Sequence, residues 1–305
     1  MHKKSPSRPS LAPRNWPGWA AVALLWVLGW LPRRLGLAMV WPIGPLAYRF
    51  AGRRRSVAER NLQRCFPAWG VAQREATVRA CFGSVARMVA EMAWCWSGPA
   101  GRIDRLGRIH GLENLAEAEE RGNGVLLVTH HTTCLDIGSR ILLGRARFGG
   151  VYRPLNNPVM EWYQTRGRLR YAEFMISKRN ALQAVKVLKR GGVVWYAPDQ
   201  DFGPEQSVFA PFFNIRAATL LATHRLPAIT GCAVVPMFPV YHRADERYDV
   251  HVLPALEDYP SNDPVADLAR INALIEEWVR KAPEQYWWIH RRFKTRPNGE
   301  PPFYD

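Results

Sequence analysis

The chain contains no Gly-x-Ser-x-Gly segment, so the exposed serine elbow of the α/β-hydrolases is missing. Nor does it contain a Cys-x-x-Cys pair. Its five cysteines (Cys65, Cys81, Cys95, Cys134 and Cys232) are odd in number and scattered, which argues against a disulfide framework or a cysteine-built zinc centre. Reduced thiols in a cytosolic setting are the expectation. No internal repeat is visible, which sets aside solenoids and propellers. Acidic side chains are absent from residues 1–58, although the whole chain of 305 residues has 26 of them.

That last absence coincides with an excess of the opposite sign. Ten of the 42 Lys and Arg residues fall in the same segment: Lys3, Lys4, Arg8, Arg14, Arg33, Arg34, Arg49 and Arg53 to Arg55. It therefore holds most of the net charge of +16. Cationic sequence beside apolar sequence suits anionic headgroups better than duplex nucleic acid, and no nucleic-acid partner is expected. The 13 Trp point the same way, because indole favours the membrane interface. Residues 1–15 read as a poorly ordered basic tail. Trp16 to Leu31 is uncharged and spans roughly 24 Å as a helix, somewhat short of a bilayer core of about 30 Å. A membrane-anchoring helix is the expectation, with a buried core helix as the alternative. No small-x-small site precedes Pro32-Arg33-Arg34, so a secretory leader fits less well. Leu35 to Tyr48, broken by Pro42 and Pro45, reads as interfacial. The arginines after the first run outweigh the tail and put the body of the chain on the cytoplasmic side. The division expected is a basic tail and anchor over 1–50 and one domain over 51–305.

The most informative stretch is Val125-Leu126-Leu127-Val128 followed by Thr129-His130-His131-Thr132-Thr133-Cys134-Leu135-Asp136. Four apolar residues after Gly124 predict a buried strand, and Thr132 or Thr133 could cap the helix that follows. The spacing is His-x4-Asp at a strand-to-helix loop, where open α/β sheets place their ligands. If His131 folds back over the first helical turn, Asp136 can hold one ring nitrogen and leave the other as a general base. His130 is the decoy, since spacing cannot distinguish the two histidines. A surface pair or a satisfied cap is the structural alternative. Cys134, inside the motif, raises a covalent acyl-cysteine route; direct attack without it is favoured.

Downstream, strands and helices alternate. Strands are expected near 149–152, 174–176, 193–197, 232–241 and 249–253. Helices are expected near 159–170, 181–189 and 217–224, and after Asp263-Pro264. A mostly parallel α/β sheet flanked by helices follows. Arg153, Arg168 and Arg170 could each contact phosphate through a guanidinium fork. Asp199 and Asp201 leave a strand together, as do metal-holding carboxylates of some glycosyltransferases. Val208 to Phe213 is a greasy run suggesting an acyl-chain wall or ordinary core. Pro283 to Arg296 interleaves aromatics with cations, which suits an anionic headgroup or single-stranded nucleic acid; the apolar N-terminus favours lipid.

Together these segments resemble the bacterial lauroyl/myristoyl acyltransferases that act late in lipid A biosynthesis, within the His-x4-Asp/Glu glycerolipid acyltransferases. The resemblance rests on Asn61-Leu62-x-x-Cys65-Phe66-Pro67, His131-x4-Asp136, Tyr152-Arg153-Pro154 and Gly167-Arg168-Leu169-Arg170. It extends through Ala197-Pro198-Asp199-x-Asp201-x-Gly203 and Pro283-Glu284-Gln285-Tyr286 to His290-Arg291-Arg292-Phe293. It implies transfer of an acyl chain from acyl carrier protein to the hydroxyl of a 3-hydroxyacyl chain on a lipid A precursor at the inner membrane. It implies no cofactor and no metal. His131 would be the base and Asp136 its orienting partner. Arg153, Arg168, Asp199 and Asp201 would bind substrate, with Asp199 positioning Arg168 or a neighbouring donor. A metal-dependent membrane glycosyltransferase using Asp199 and Asp201 is the alternative from another class.

Overall fold

The computed structural model describes residues 6–304. The N-terminal third is helical: α1 (Trp16–Trp30), α2 (Arg33–Val40), α3 (Ile43–Phe50), α4 (Gly52–Cys65), α5 (Val71–Ser97) and the short α6 (Ala100–Asp104). An α/β part follows, with β1 (Gly107–His110), α7 (Leu112–Glu120), β2 (Val125–Val128), α8 (Leu135–Leu142), β3 (Gly149–Tyr152) and α9 (Pro158–Arg168). Then come β4 (Met175–Ser177), α10 (Ala181–Leu188), β5 (Val193–Tyr196), β6 (Ser207–Phe212), β7 (Ile215–Leu220) and α11 (Ala222–Thr230). The chain closes with β8 (Ala233–His242), β9 (Arg247–Val252) and α12 (Pro264–Lys281).

Seven strands form one sheet in the order β1-β9-β8-β2-β5-β3-β4, while β6 and β7 make a separate hairpin. Every neighbouring pair in the large sheet is parallel except β8 with β9. This is the mostly parallel, helix-flanked sheet that the alternation implied. The centre is apolar throughout: all four residues of β2 and of β5 are buried, as strands covered on both faces must be. Val125 pairs with Val193 on one side and Ala233 on the other, and β2 and β5 end level at Val128 and Tyr196. The loops leaving those two ends are therefore neighbours.

Three expectations need correction. First, no helix among the described residues is long and apolar enough to cross a membrane. Helix α1 instead packs on α5 and α9, and its Val22 and Leu28 join one core cluster with Trp94, Cys95 and Trp96. Its length and apolar composition reflect two surfaces, one packed on protein and one exposed at Leu24, Trp26 and Trp30. Second, residues 6–15 are not loose: Asn15 and Trp19 donate to the Ser10 carbonyl, and Arg8 lies over the Trp19 ring. Lys3 and Lys4 lie outside the described residues. Third, residues 217–220 form strand β7 rather than a helix. Ala217 and Ala218 pair with Ala210 and Phe209 of β6, so hairpin pairing overrides the helical preference of alanine. The greasy run that reads as an acyl-chain wall is mostly β6. Phe212 and Phe213 are buried against Phe66, Tyr286, Trp288 and Phe293.

Candidate active site

His131 leaves the end of β2 and Asp199 leaves the end of β5, so the parallel pairing of those strands brings the two loops together. The His131 Nδ1 lies 2.6 Å from Asp199 Oδ1, and the His131 backbone N–H donates to the same carboxylate at 2.9 and 3.0 Å. Asp199 is buried while the His131 side chain keeps 27% of its exposure. Burial alone would push the Asp199 carboxyl up. The charge and hydrogen bonds of His131 outweigh that, and the carboxyl is held below its usual range. With Nδ1 engaged by a fixed carboxylate, Nε2 is the nitrogen left to exchange a proton.

Asp136 does not hold this imidazole, contrary to the expectation from spacing. It sits in the first turn of α8 and accepts from Arg168 Nε at 2.8 Å and Nη2 at 2.9 Å, a two-point fork, and from Trp96 Nε1 at 3.2 Å. Nor does Asp199 hold Arg168. The cause is directional: Asp136 points toward α9 and α5, while the strand ends deliver Asp199 to the histidine. The helix cap is Cys134, whose N–H donates to the Thr132 hydroxyl; Thr132 thus supports the turn without being the cap itself. Arg168 closes α9, which approaches α5 closely because Gly167 has no side chain. A Cβ there would meet the Trp96 Cβ at 2.4 Å.

Arg153 is exposed after β3. Arg170 donates to the carbonyls of Trp96 and Gly98 at the end of α5, so it ties helices together and is not free for phosphate. Asp201 is also committed: it accepts from Thr295 N and Oγ1 and from Gly203 N, while its own N–H donates to His290 Nε2. Asp199 and Asp201 therefore serve different donors, and the shared metal seat of the glycosyltransferase reading is not formed. His130 is a core residue, with its ring near Phe238 and Tyr286. Burial, partly opposed by Asp199, lowers it to about 4. Burial likewise pushes the Cys134 thiol up to about 12, and that thiol donates to Gln285 Oε1 at 3.2 Å. A neutral, enclosed thiol is a poor nucleophile.

The segment after α12 has a role that composition did not reveal. The Gln285 carbonyl accepts from Thr133 N at 2.8 Å and from Thr132 Oγ1 at 3.0 Å, and Trp287 N donates to the His131 carbonyl at 3.1 Å. Asn61 in turn donates to the carbonyls of Trp288 and His290. Arg292 is buried and donates to Ala218 O and Thr219 Oγ1, so this cation braces the hairpin and is not offered to a headgroup. The Asn61 and Pro283–Tyr286 motifs thus act as a clasp on the histidine loop. Spacing alone gave no role to Gln285, Trp96 or Asn61; for Gln285 and Asn61 their place in the motifs was the available signal, and for Trp96 there was none.

A histidine–carboxylate pair at the carboxyl ends of a mostly parallel sheet is an arrangement of the α/β enzyme class that can take a proton from a hydroxyl. Comparison with known proteins narrows that class. The chain belongs to the bacterial lipid A biosynthesis acyltransferase family, whose sequence profile matches residues 3–295. It is 38% identical over 299 residues to the lipid A biosynthesis palmitoleoyltransferase of Escherichia coli K12, covering 98% of this chain and 97% of that protein. Identity to the lipid A biosynthesis lauroyltransferase of the same strain is also 38%, covering 96% of each chain. The myristoyltransferase of that strain is 29% identical, over 94% of this chain and 90% of its own. The protein is an acyltransferase of lipid A biosynthesis.

Proposed function

We propose that this acyltransferase moves a fatty acyl chain from acyl carrier protein to the hydroxyl of a 3-hydroxyacyl chain on a lipid A precursor. His131 acts as general base and Asp199 as its positioning residue. The observation that carries the reading is the 2.6 Å contact between His131 Nδ1 and a buried Asp199, which leaves Nε2 toward the accessible side. In the reaction, Nε2 removes the hydroxyl proton as the oxygen attacks the thioester carbonyl, and Asp199 stabilises the imidazolium that forms. The tetrahedral oxyanion collapses with loss of the carrier thiolate, which takes the proton back from Nε2. No covalent enzyme intermediate is needed, in keeping with the enclosed Cys134. Asp136 fixes the Arg168 guanidinium, which in this reading faces the oxyanion or a precursor phosphate. An apolar crevice lined by Trp96, Leu143, Phe148, Met175 and Trp195 adjoins that pair; at about 30 Å³ it would have to open to admit an acyl chain. The reading uses no cofactor and no metal.

The site works on the cytoplasmic face of the inner membrane in this reading. Exposed Trp26, Trp30, Met39, Trp41 and Phe50 give α1 to α3 an apolar rim, and Arg34, Arg49 and Arg53 lie beside it. Such a rim lies in the interface and need not span the bilayer. Acyl carrier protein is acidic, and the basic surface favours its approach.

Mass spectrometry of lipid A tests the reading. A strain lacking this protein should show lipid A lighter by one acyl chain. The wild-type protein should restore the mass and His131→Ala should not, at equal membrane abundance. The increment gives the chain length directly. Unchanged lipid A in the deletion strain, or full restoration by His131→Ala, would sink the assignment.

A further inference from the structure

A second cluster of titratable side chains sits on the β1-β9-β8 edge of the sheet. Asp249 of β9 is its centre, with 13% of its side chain exposed. Its Oδ1 accepts from Arg108 Nε at 2.6 Å, and Arg108 Nη2 reaches Oδ2 at 3.4 Å and Asp245 at 3.0 Å. The Oδ2 side also faces two imidazoles: His242 Nε2 at 3.1 Å and His110 Nε2 at 3.5 Å. His242 Nε2 is buried, yet its orientation toward the carboxylate makes no hydrogen bond. His251 lies two residues along β9 on the same face, directly opposite His110 in the strand register. The His110 and His251 rings stack at 4.7 Å, and Trp278 closes on His251 at 4.6 Å. One ligand atom from each of His110, Asp249 and His251 lies within 4.8 Å of the others.

We propose that His110, Asp249 and His251 bind a divalent transition-metal ion of the zinc class, with His242 as a fourth donor. A set of imidazoles and one carboxylate oxygen matches Zn²⁺ and its neighbours, while Ca²⁺ and Mg²⁺ require mostly oxygen. Donors about 2.1 Å from a tetrahedral ion lie about 3.4 Å apart, so binding requires the His110 ring to turn out of its near-parallel stack on His251 and bring its lone pair to the ion. His110 and His242 are half exposed and free to turn. Arg108 on Oδ1 fixes the carboxylate orientation, as partners of metal ligands commonly do. The positive charges of Arg108 and Lys281 oppose a further cation, so the site depends on coordinate bonds from neutral rings. The ion would join three strands and pin the four-residue edge strand β1 to the sheet. It lies outside the His131 site and takes no part in acyl transfer.

The test uses untagged full-length protein stripped with a chelator and dialysed free of it. Zn²⁺ should bind at one ion per chain and raise the melting temperature by several degrees. Co²⁺ should give the intense visible bands of a tetrahedral site. His110→Ala and His251→Ala should each weaken Zn²⁺ binding at least tenfold and lose the Co²⁺ bands, while melting near the metal-free wild type. Equal Zn²⁺ affinity in the wild type and the His110→Ala/His251→Ala double variant overturns the proposal, as does the absence of stoichiometric binding.

Discussion

Asp136 and Asp199 invite comparison because each follows a buried central strand and each holds one basic side chain. Asp199 is buried and grips a half-exposed imidazole through the ring and the backbone N–H. Asp136 is less enclosed and grips a guanidinium. An imidazole changes charge near neutral pH, whereas a guanidinium does not, so one pair can move a proton and the other can only hold a fixed positive charge. The residue nearer in sequence to His131 is thus not its partner. Proximity along the chain fixed the motif, and strand pairing chose the contact.

The sharpest way to break this comparison is to neutralise each carboxylate in turn. Asp199→Asn should lower kcat by about 10³–10⁴, comparable to loss of the base, because the amide no longer fixes the productive tautomer. Measured with saturating acceptor and matched folding by circular dichroism, a loss below tenfold would show that another group orients His131. The next largest effect concerns Asp136 and Arg168. Breaking a partly buried ion pair by removing one member costs up to about 3–5 kcal/mol, so either alanine variant should be much impaired. The double variant should be little worse than the worse single, whereas Asp136→Asn combined with Asp199→Asn should be more nearly additive. Reversed couplings would restore Asp136 to the histidine.

Acid titration separates the pairs in another way. His130 is lowered to about 4 by burial, and His290 to about 4 by burial and the His131 charge. Their unfolded forms take up protons below about pH 6.5, so each stabilises the fold less as pH falls from there toward 4. The Asp199 pair behaves differently. Its lowered carboxyl contributes fully above the unfolded value of about 3.9, and that contribution is lost only as pH falls further. Denaturant midpoints from pH 7 to 4.5 should therefore fall in the wild type and fall less steeply in His130→Gln, with Asp199→Asn keeping the wild-type slope. Identical slopes in the wild type and His130→Gln would remove His130 as a source of that loss. The smallest effect is expected at Cys134. Cys134→Ala should retain activity within about threefold and show no acyl adduct by intact-protein mass spectrometry; a trapped thioester on Cys134 in the wild type would reinstate a two-step route.

Much of this arrangement was legible from residues alone. Four apolar residues before the Thr/His cluster located β2, and alternation of strands with helices gave the parallel sheet. Its limits were physical. Spacing sets where a side chain starts but not which way it turns, so His131 and Asp136 looked paired when Asp136 faces Arg168. Alanines at 217 and 218 favour a helix locally, yet the β6 partner made them a strand. The apolar run at Trp16–Leu31 had anchor composition, but one of its faces was claimed by α5 and α9. The residues around Asp249 come from β1, β8 and β9, and no window of sequence shows them together.

The clasp by Gln285 has a consequence for how the enzyme comes into being. Thr132 bonds to a carbonyl 153 positions further along the chain, so the geometry of the histidine loop depends on a long-range loop closure. Such closures are late events in folding because their entropy is met only after local structure has formed. A chain still being synthesised can build β2 and even expose His131, yet it lacks the backbone partners that fix the ring's approach. The histidine loop then takes its final geometry only once the segment after α12 is in place. Lesions near residue 285 should disturb the histidine loop while sparing most of the sheet.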